Sequence, residues 1–479
     1  VMQQRRTESG FRTENPMTGE VEKRFDSLSD SEVEAALAQA AAAYAEWSER
    51  PLSDRSEVVA RAADLFEERT DELAALASRE MGKPLNEASG EVAFCASILR
   101  HYAAEGERLL ADQTLKDEAG MRAVLETRSL GPVLGIMPWN FPFYQVVRFA
   151  APNLVLGNAV LVKHAATCPQ SALAIEQVMR EAGLPDGVYQ NLFVDHRQVE
   201  EIIADDRIVG VSLTGSERAG SRVAEVAGRH LKKVVLELGG SDAHMYLSTD
   251  DVAQAARGAL RKRLVNSGQV CTSNKRILVA ERLYDRFVAE LVAAVAELTP
   301  GDPSSPTPGS YYPLSSEQAA DEVARQIERA VEQGAVLRIG GERLDRPGAW
   351  VTPAVLTGVT SEMDAYTEEI FGPVLVVYPI SDSEQGIELA NSSPYGLSGA
   401  VFSTDQDEAL QVAARIQVGM VHINAADSGG PDLPFGGVKR SGFGRELGDL
   451  GIYEFANRRL VSLRRPEPES VRKPEGSAT

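Results

Sequence analysis

Apolar residues recur at two spacings along the chain, and the change from one to the other divides it. From Ser31 to Trp47 an alanine-rich run follows Ser29 and Asp30, with Glu32 and Glu34 in its first turn, and this predicts a capped helix. Between Asp54 and Glu80, Val58, Val59, Leu65, Phe66, Leu73 and Leu76 recur at helical spacing until Gly82-Lys83-Pro84 stops the pattern. Glu91 to Leu110 predicts a further helix, so the opening of the chain reads as all-helical. From Arg122 to Arg128 the pattern becomes strand-like, and Val133 to Met137 reads as a short buried strand ending at Pro138-Trp139-Asn140.

Alternation then begins. Val160 to Val162 predicts a strand, Pro169 to Glu181 a helix, Val188 to Phe193 a strand, and Val209 to Thr214 a strand that runs into Gly215-Ser216 and a helix. A second series has strands at Arg276 to Ala280, Val374 to Pro379 and Gly399 to Phe402, with a helix from Tyr284 to Leu298. This rhythm predicts two doubly wound, mostly parallel α/β sheets. Gly301 to Pro313 reads as a loop, Asn457 to Leu463 as a last strand, and Arg464 to Thr479 as a mobile, charged tail.

Length and charge narrow the classes. A chain of 479 residues with 43% hydrophobic and 25% charged residues fits a soluble multidomain protein. A net charge of -21 argues against nucleic-acid and anionic-membrane partners, and no apolar stretch reaches membrane length. The first residues lack the apolar core of a signal peptide, and the three cysteines, Cys95, Cys168 and Cys271, form no metal-spaced set. A reducing cytoplasm is the expected compartment.

Candidate chemistry centres on Cys271, in Val265 to Arg276. A lone cysteine is more often a buried structural residue, but those sit among Val, Ile and Leu. Cys271 is bracketed by Asn266, Ser267, Gly268, Gln269, Thr272, Ser273 and Asn274, the polar setting a nucleophilic thiol needs. Glu237, flanked by Leu236 and Leu238 before Gly239-Gly240, is a carboxylate at an apolar strand end. Desolvation would raise its pKa towards that of a general base; pairing with a buried Arg or Lys is the competing reading. Asn140, between Pro138-Trp139 and Phe141-Pro142, offers a rigid amide donor to an oxyanion, or else a turn that satisfies its own backbone. Gly215 and Ser216 open a helix where a phosphate could sit, or form a simple turn. None of the six histidines lies in these motifs.

Six motifs, PWNFP, TGS-x-x-x-G, ELGG, GQVC, EEIFGP and PFGGVKRSGFGREL, occur in the order and at the spacings of the aldehyde dehydrogenase superfamily, which the chain resembles from Asn15-Pro16 to Gly451. NFPFYQVVRF, LVKHA, PDGVYQNLF, TGSERAG and ELGGSD resemble its succinate-semialdehyde branch. The resemblance implies Cys271 as nucleophile, Glu237 as base, and Asn140 with the Cys271 N–H as oxyanion hole. It implies a nicotinamide cofactor, NADP or NAD, held by Trp139, Lys163, Gly215, Ser216, Glu369 and Phe371. Ala166 stands where NAD-selective relatives carry a Glu that repels a 2′-phosphate. Arg148 would grip a substrate carboxylate, with Arg263 reaching in from a neighbouring turn as the alternative cation and Phe435 also contacting substrate; an Arg that bridges two subunits or pairs with a surface Glu is the competing reading. Implied domains are 1–110 with 131–239 for the cofactor, 240–437 for catalysis, and 111–130 with 455–479 as a β extension that joins subunits into dimers or tetramers. A non-catalytic relative would lack the nucleophile or the base, and this chain keeps both.

Overall fold

The computed structural model of the protein describes residues 10–118 and 120–464. Strand pairing gathers the alternating segments into two open sheets. The first runs, edge to edge, through Gly442–Phe443, Lys233–Glu237, Gly210–Thr214, Val133–Ile136, Val160–Lys163 and Tyr189–Asn191. All neighbours are parallel except the edge strand Gly442–Phe443. The second runs through Val336–Ile339, Ala354–Thr357, Val374–Ile380, Arg276–Ala280, Ala243–Tyr246, Ser398–Phe402 and Met420–Ile423, antiparallel only at Val336–Ile339.

Period-two alternation distributes side chains to both faces of each sheet. In the first, Leu134, Leu161, Val211, Leu213 and Leu236 pack on one face, and Val133, Val160, Val162 and Val235 on the other. In the second, Met245, Leu278 and Val376 oppose Tyr246, Ile277, Val279 and Val377. Sheets buried on both faces need apolar residues at nearly every strand position, which is why these strands read as short continuous apolar runs.

In the first sheet the chain winds outward from Val133–Ile136 through Val160–Lys163 to Tyr189–Asn191, then returns to Gly210–Thr214 on the opposite side. The reversal leaves a crevice at the carboxyl ends of Val133–Ile136 and Gly210–Thr214, the place where open α/β sheets bind ligands. Trp139 and Asn140 leave one of these strands, and Gly215 and Ser216 the other.

The opening is not all-helical: a hairpin of Arg12–Glu14 with Val21–Arg24 precedes the helix Asp30–Trp47. The segment expected as one helix over Asp54 to Glu80 is two, Leu52–Glu68 and Thr70–Met81. The Thr70 hydroxyl donates to Phe66 O at 3.2 Å and Glu67 O at 2.9 Å, serving the last carbonyls of the first helix while opening the second. A separate antiparallel sheet joins Gln113–Glu118, Met121–Ser129 and Ala456–Arg464. The tail expected to be mobile lies, from residue 465 onward, outside the described residues. No helix among the described residues is long and apolar enough to cross a membrane.

Candidate active site

Cys271 follows a backbone turn that few sequences allow. The helix Val252–Leu264 ends in the turn Val265–Gly268, where Asn266 and Ser267 take φ of 49° and 55° and Gly268 takes 78°. Left-handed φ is costly for a side chain, and a Cβ on Gly268 would stand 2.3 Å from Gly372 O. Hydrogen bonds hold the strained residues: Asn266 Nδ2 donates to Asn140 O at 2.8 Å, and Gln269 Nε2 donates to Asn266 O at 3.0 Å. Asn140 Nδ2 in turn donates to Gln269 O at 3.0 Å. Asn140 is therefore tied to the cysteine turn through backbone and side chain together, and an amide carries a second N–H beyond the one this bond uses.

The Asn140 loop is fixed from beneath by Glu91, on the helix Leu85–Leu110. Its Oε1 accepts the Phe143 and Tyr144 N–H groups at 2.8 and 3.0 Å, capping the helix Tyr144–Leu156, which has no side-chain cap of its own. Its other oxygen accepts from the buried ammonium of Lys83, which stands 3.7 Å over the Phe141 ring.

Cys271 opens onto a cavity of about 400 Å³ whose walls include Phe94, Phe141, Tyr144, Val270, His422 and Phe435. Burial pushes its thiol up to about 11, against the pull of Lys275 and Arg148. Lys275, which no motif singles out, donates to Cys271 O at 2.8 Å and Val270 O at 2.9 Å and pairs with Glu369 at 3.0 Å. Glu237 is 2% exposed and neither carboxylate oxygen has a hydrogen-bond partner among the described residues. Burial raises its pKa well above the carboxylate range, opposed by Arg148 and reinforced by Glu446. The backbone beyond it passes very close to the cysteine, since a Cβ on Gly240 would lie 2.6 Å from Cys271 O.

On the far side, Trp139 and Phe371 meet edge-to-face with centroids 5.8 Å apart, and Glu369 Oε1 accepts the Gly240 N–H at 3.2 Å. Lys163 ends its strand largely buried, its pKa lowered by desolvation with no carboxylate opposing. Ala166 O accepts the Arg12 N–H at 2.9 Å, and its small side chain packs beside the cluster of Phe11 and Phe193. Ser216 caps the helix Glu217–Arg229, and space beside Gly215 is open, with only Leu213 within reach of a Cβ. A desolvated ammonium that no carboxylate among the described residues pairs with, a helix N-terminus and a carboxylate near the thiol fit the hydroxyls and phosphates of a dinucleotide. Among the described residues no His, Cys, Asp and Glu cluster could hold a metal ion.

Arg148, expected to grip a substrate carboxylate, points away from the cavity. Its side chain is 1% exposed and absent from the cavity wall: Nε pairs with Glu446 at 2.5 Å, and the Nη atoms donate to Tyr144 Oη and Thr214 Oγ1, both at 3.2 Å. Phe435, which does line the cavity, covers it at 4.4 Å. Unpaired, Glu446 would be a buried charge with no partner cation, and that cost fixes Arg148 in place. Arg263 is also committed, donating to the carbonyls of Val374 at 2.7 Å, Gly268 at 3.3 Å and Ile370 at 2.7 Å.

An open α/β crevice suited to a dinucleotide, facing a thiol beside an amide donor and a desolvated carboxylate, defines a class of cysteine-dependent nicotinamide dehydrogenases. The chain belongs to the aldehyde dehydrogenase family, whose profile matches residues 2–461. It is 53% identical over 456 residues to the succinate-semialdehyde dehydrogenase [NADP(+)] of Deinococcus radiodurans, covering 95% of each chain. It is 43% identical to a Mycobacterium bovis protein of the same description, over 94% of this chain and 98% of that one. The structure superposes with a TM-score of 0.92 on succinic semialdehyde dehydrogenase from Streptococcus pyogenes in complex with NADP+, at 42% identity, over 95% of this chain and 100% of that one.

Proposed function

We propose that the protein oxidises succinic semialdehyde to succinate, using NADP at least as well as NAD. The observation that carries this reading is the similarity to succinate-semialdehyde dehydrogenases along nearly the whole chain, joined to a cavity that opens on Cys271. Lys163, Gly215, Ser216, Trp139, Glu369 and Phe371 would hold the cofactor, and Ala166 puts no acid near a 2′-phosphate. When bound, the nicotinamide accepts a hydride.

The thiol of Cys271 is protonated at rest, so its proton must leave as its sulfur adds to the aldehyde carbon. Glu237, desolvated and free of hydrogen bonds, is the acceptor in keeping with its raised pKa. The oxyanion then formed is held by the Asn140 amide and the Cys271 N–H, rigid donors that need no reorganisation. Loss of hydride from that carbon leaves a thioester on Cys271. Glu237 releases the thiol proton to solvent and then takes a proton from water, whose oxygen attacks the thioester; collapse releases the carboxylic acid and expels the Cys271 sulfur, which regains a proton from Glu237.

The same reading assigns residues 1–110 and 131–239 to cofactor binding, 240–437 to catalysis, and the separate sheet to subunit contact in a homodimer or homotetramer. Exposed Leu115, Leu460 and Leu463 on that sheet support the last point. A nucleophilic free thiol is best preserved in a reducing cytoplasm. Steady-state rates with succinic semialdehyde, glutaric semialdehyde, butanal and benzaldehyde, each with NADP and NAD, test the proposal. Highest kcat/KM for succinic semialdehyde with NADP is expected; a clear preference for benzaldehyde or for NAD would overturn it.

A further inference from the structure

With Arg148 sealed behind Phe435 and Arg263 bound to three carbonyls, the proposed substrate's far carboxylate lacks the partner the motifs suggested. Lys262 is the one Lys or Arg on the wall of the Cys271 cavity among the described residues. It sits in the last turn of the helix Val252–Leu264, beside Arg263 in sequence but rotated away from it by the helical step. Arg263 turns into the core, whereas Lys262 shares the cavity wall with Val265, three residues on.

The surroundings of Lys262 form a polar end in an otherwise largely apolar cavity. Its ammonium bonds Asp427, and close by His422 Nδ1 and Ser428 Oγ are 2.9 Å apart. The side chain of Lys262 is only 9% exposed, so its charge is held at one place. An ammonium carries three donors, and among the described residues this one bonds only Asp427, leaving capacity for a second carboxylate. A different wall carries Glu87, fixed by the Asn266 N–H at 2.7 Å, and Glu91; two acids there disfavour an anion.

We propose that Lys262, oriented by Asp427, binds the distal carboxylate of an ω-carboxylate aldehyde whose carbonyl lies at Cys271, with Ser428 beside it as a hydroxyl donor. This inference rests on the substrate reading above and adds the residue that would set its specificity. Asp427 limits the gain, because its own charge repels the incoming carboxylate, so the site favours a modest selectivity over tight product retention.

The test compares wild type, Lys262→Met and Lys262→Arg with succinic semialdehyde and with butanal. In Lys262→Met, kcat/KM for succinic semialdehyde should fall about ten- to a hundredfold, mainly through KM, with butanal unchanged and Lys262→Arg recovering most of the loss. Succinic semialdehyde rates that stay at wild-type level, or equal losses on both aldehydes, would overturn the assignment. Inhibition of butanal oxidation by glutarate separates this inference from the substrate reading. If wild type prefers butanal, the substrate reading fails, yet weaker glutarate inhibition in Lys262→Met would still support the carboxylate site, and equal inhibition would refute it.

Discussion

Replacing Arg148 by Met keeps most of the side-chain volume and removes the cation that Glu446 pairs with and that draws down the pKa of both Glu237 and Cys271. Removing one member of a buried ion pair typically costs about 3–5 kcal/mol. The loss should grow with pH. A carboxyl whose folded pKa is raised above its unfolded value contributes stability below the unfolded pKa and loses it as pH rises through the folded one, and the substitution raises Glu237 and Glu446 further. Denaturant unfolding of Arg148→Met should therefore show a larger deficit at pH 8 than at pH 5. Activity should decline on succinic semialdehyde and butanal alike, and the rise of kcat/KM with pH should move to higher pH on both, because Glu237 and Cys271, the proposed base and nucleophile, each become harder to deprotonate. A variant of wild-type stability that lost only succinic semialdehyde would mean that Arg148 touches substrate, and the account of the buried pair would be wrong.

Ala166→Glu should lower kcat/KM with NADP by about a hundredfold while leaving NAD largely unaffected, since juxtaposed like charges cost several kcal/mol; equal effects on both cofactors would remove Ala166 from the 2′-phosphate site. Burial raises Asp242 to about 7 although it accepts the Ser398 N–H at 3.0 Å, so it contributes stability at low pH and loses it as pH climbs from about 4 towards 7. Asp242→Asn should accordingly raise the melting temperature at pH 8 relative to wild type more than at pH 5, and a pH-independent change would refute this. Mild peroxide should produce no dithiothreitol-reversible intramolecular disulfide at Cys271, because Ser273 occupies the position two residues on and Cys95 and Cys168 are buried elsewhere; mass mapping checks it.

What could be read in the sequence was local. The turn at Cys271 announced itself through residues that tolerate unusual backbone or bond to it, and Asn140 through the prolines that stiffen its loop. The parallel sheets showed in apolar runs because both faces are covered. The helix Glu317–Glu332 escaped, although Ser316 caps it and Val323, Ile327 and Ala330 recur at helical spacing. Long-range partners were not legible. Arg148 is held out of the cavity by Glu446, almost 300 residues on in the chain, which a local bridge fixes beside Phe435. Lys275 acts on main-chain carbonyls that carry no sequence signal, and Arg261, Lys262 and Arg263 look alike until the fold decides which one turns inward.

In the proposed mechanism Cys271 carries the acyl group and Glu237 activates the water that removes it. Glu237→Gln, mixed with succinic semialdehyde and NADP and then acid-quenched, should give a burst of NADPH of up to one equivalent per site and then stall. Peptide mass mapping should place a succinyl group on Cys271, and Cys271→Ala should show neither burst nor adduct while still binding NADP. Full steady turnover by Glu237→Gln, or an acyl group on any other residue, would contradict the account.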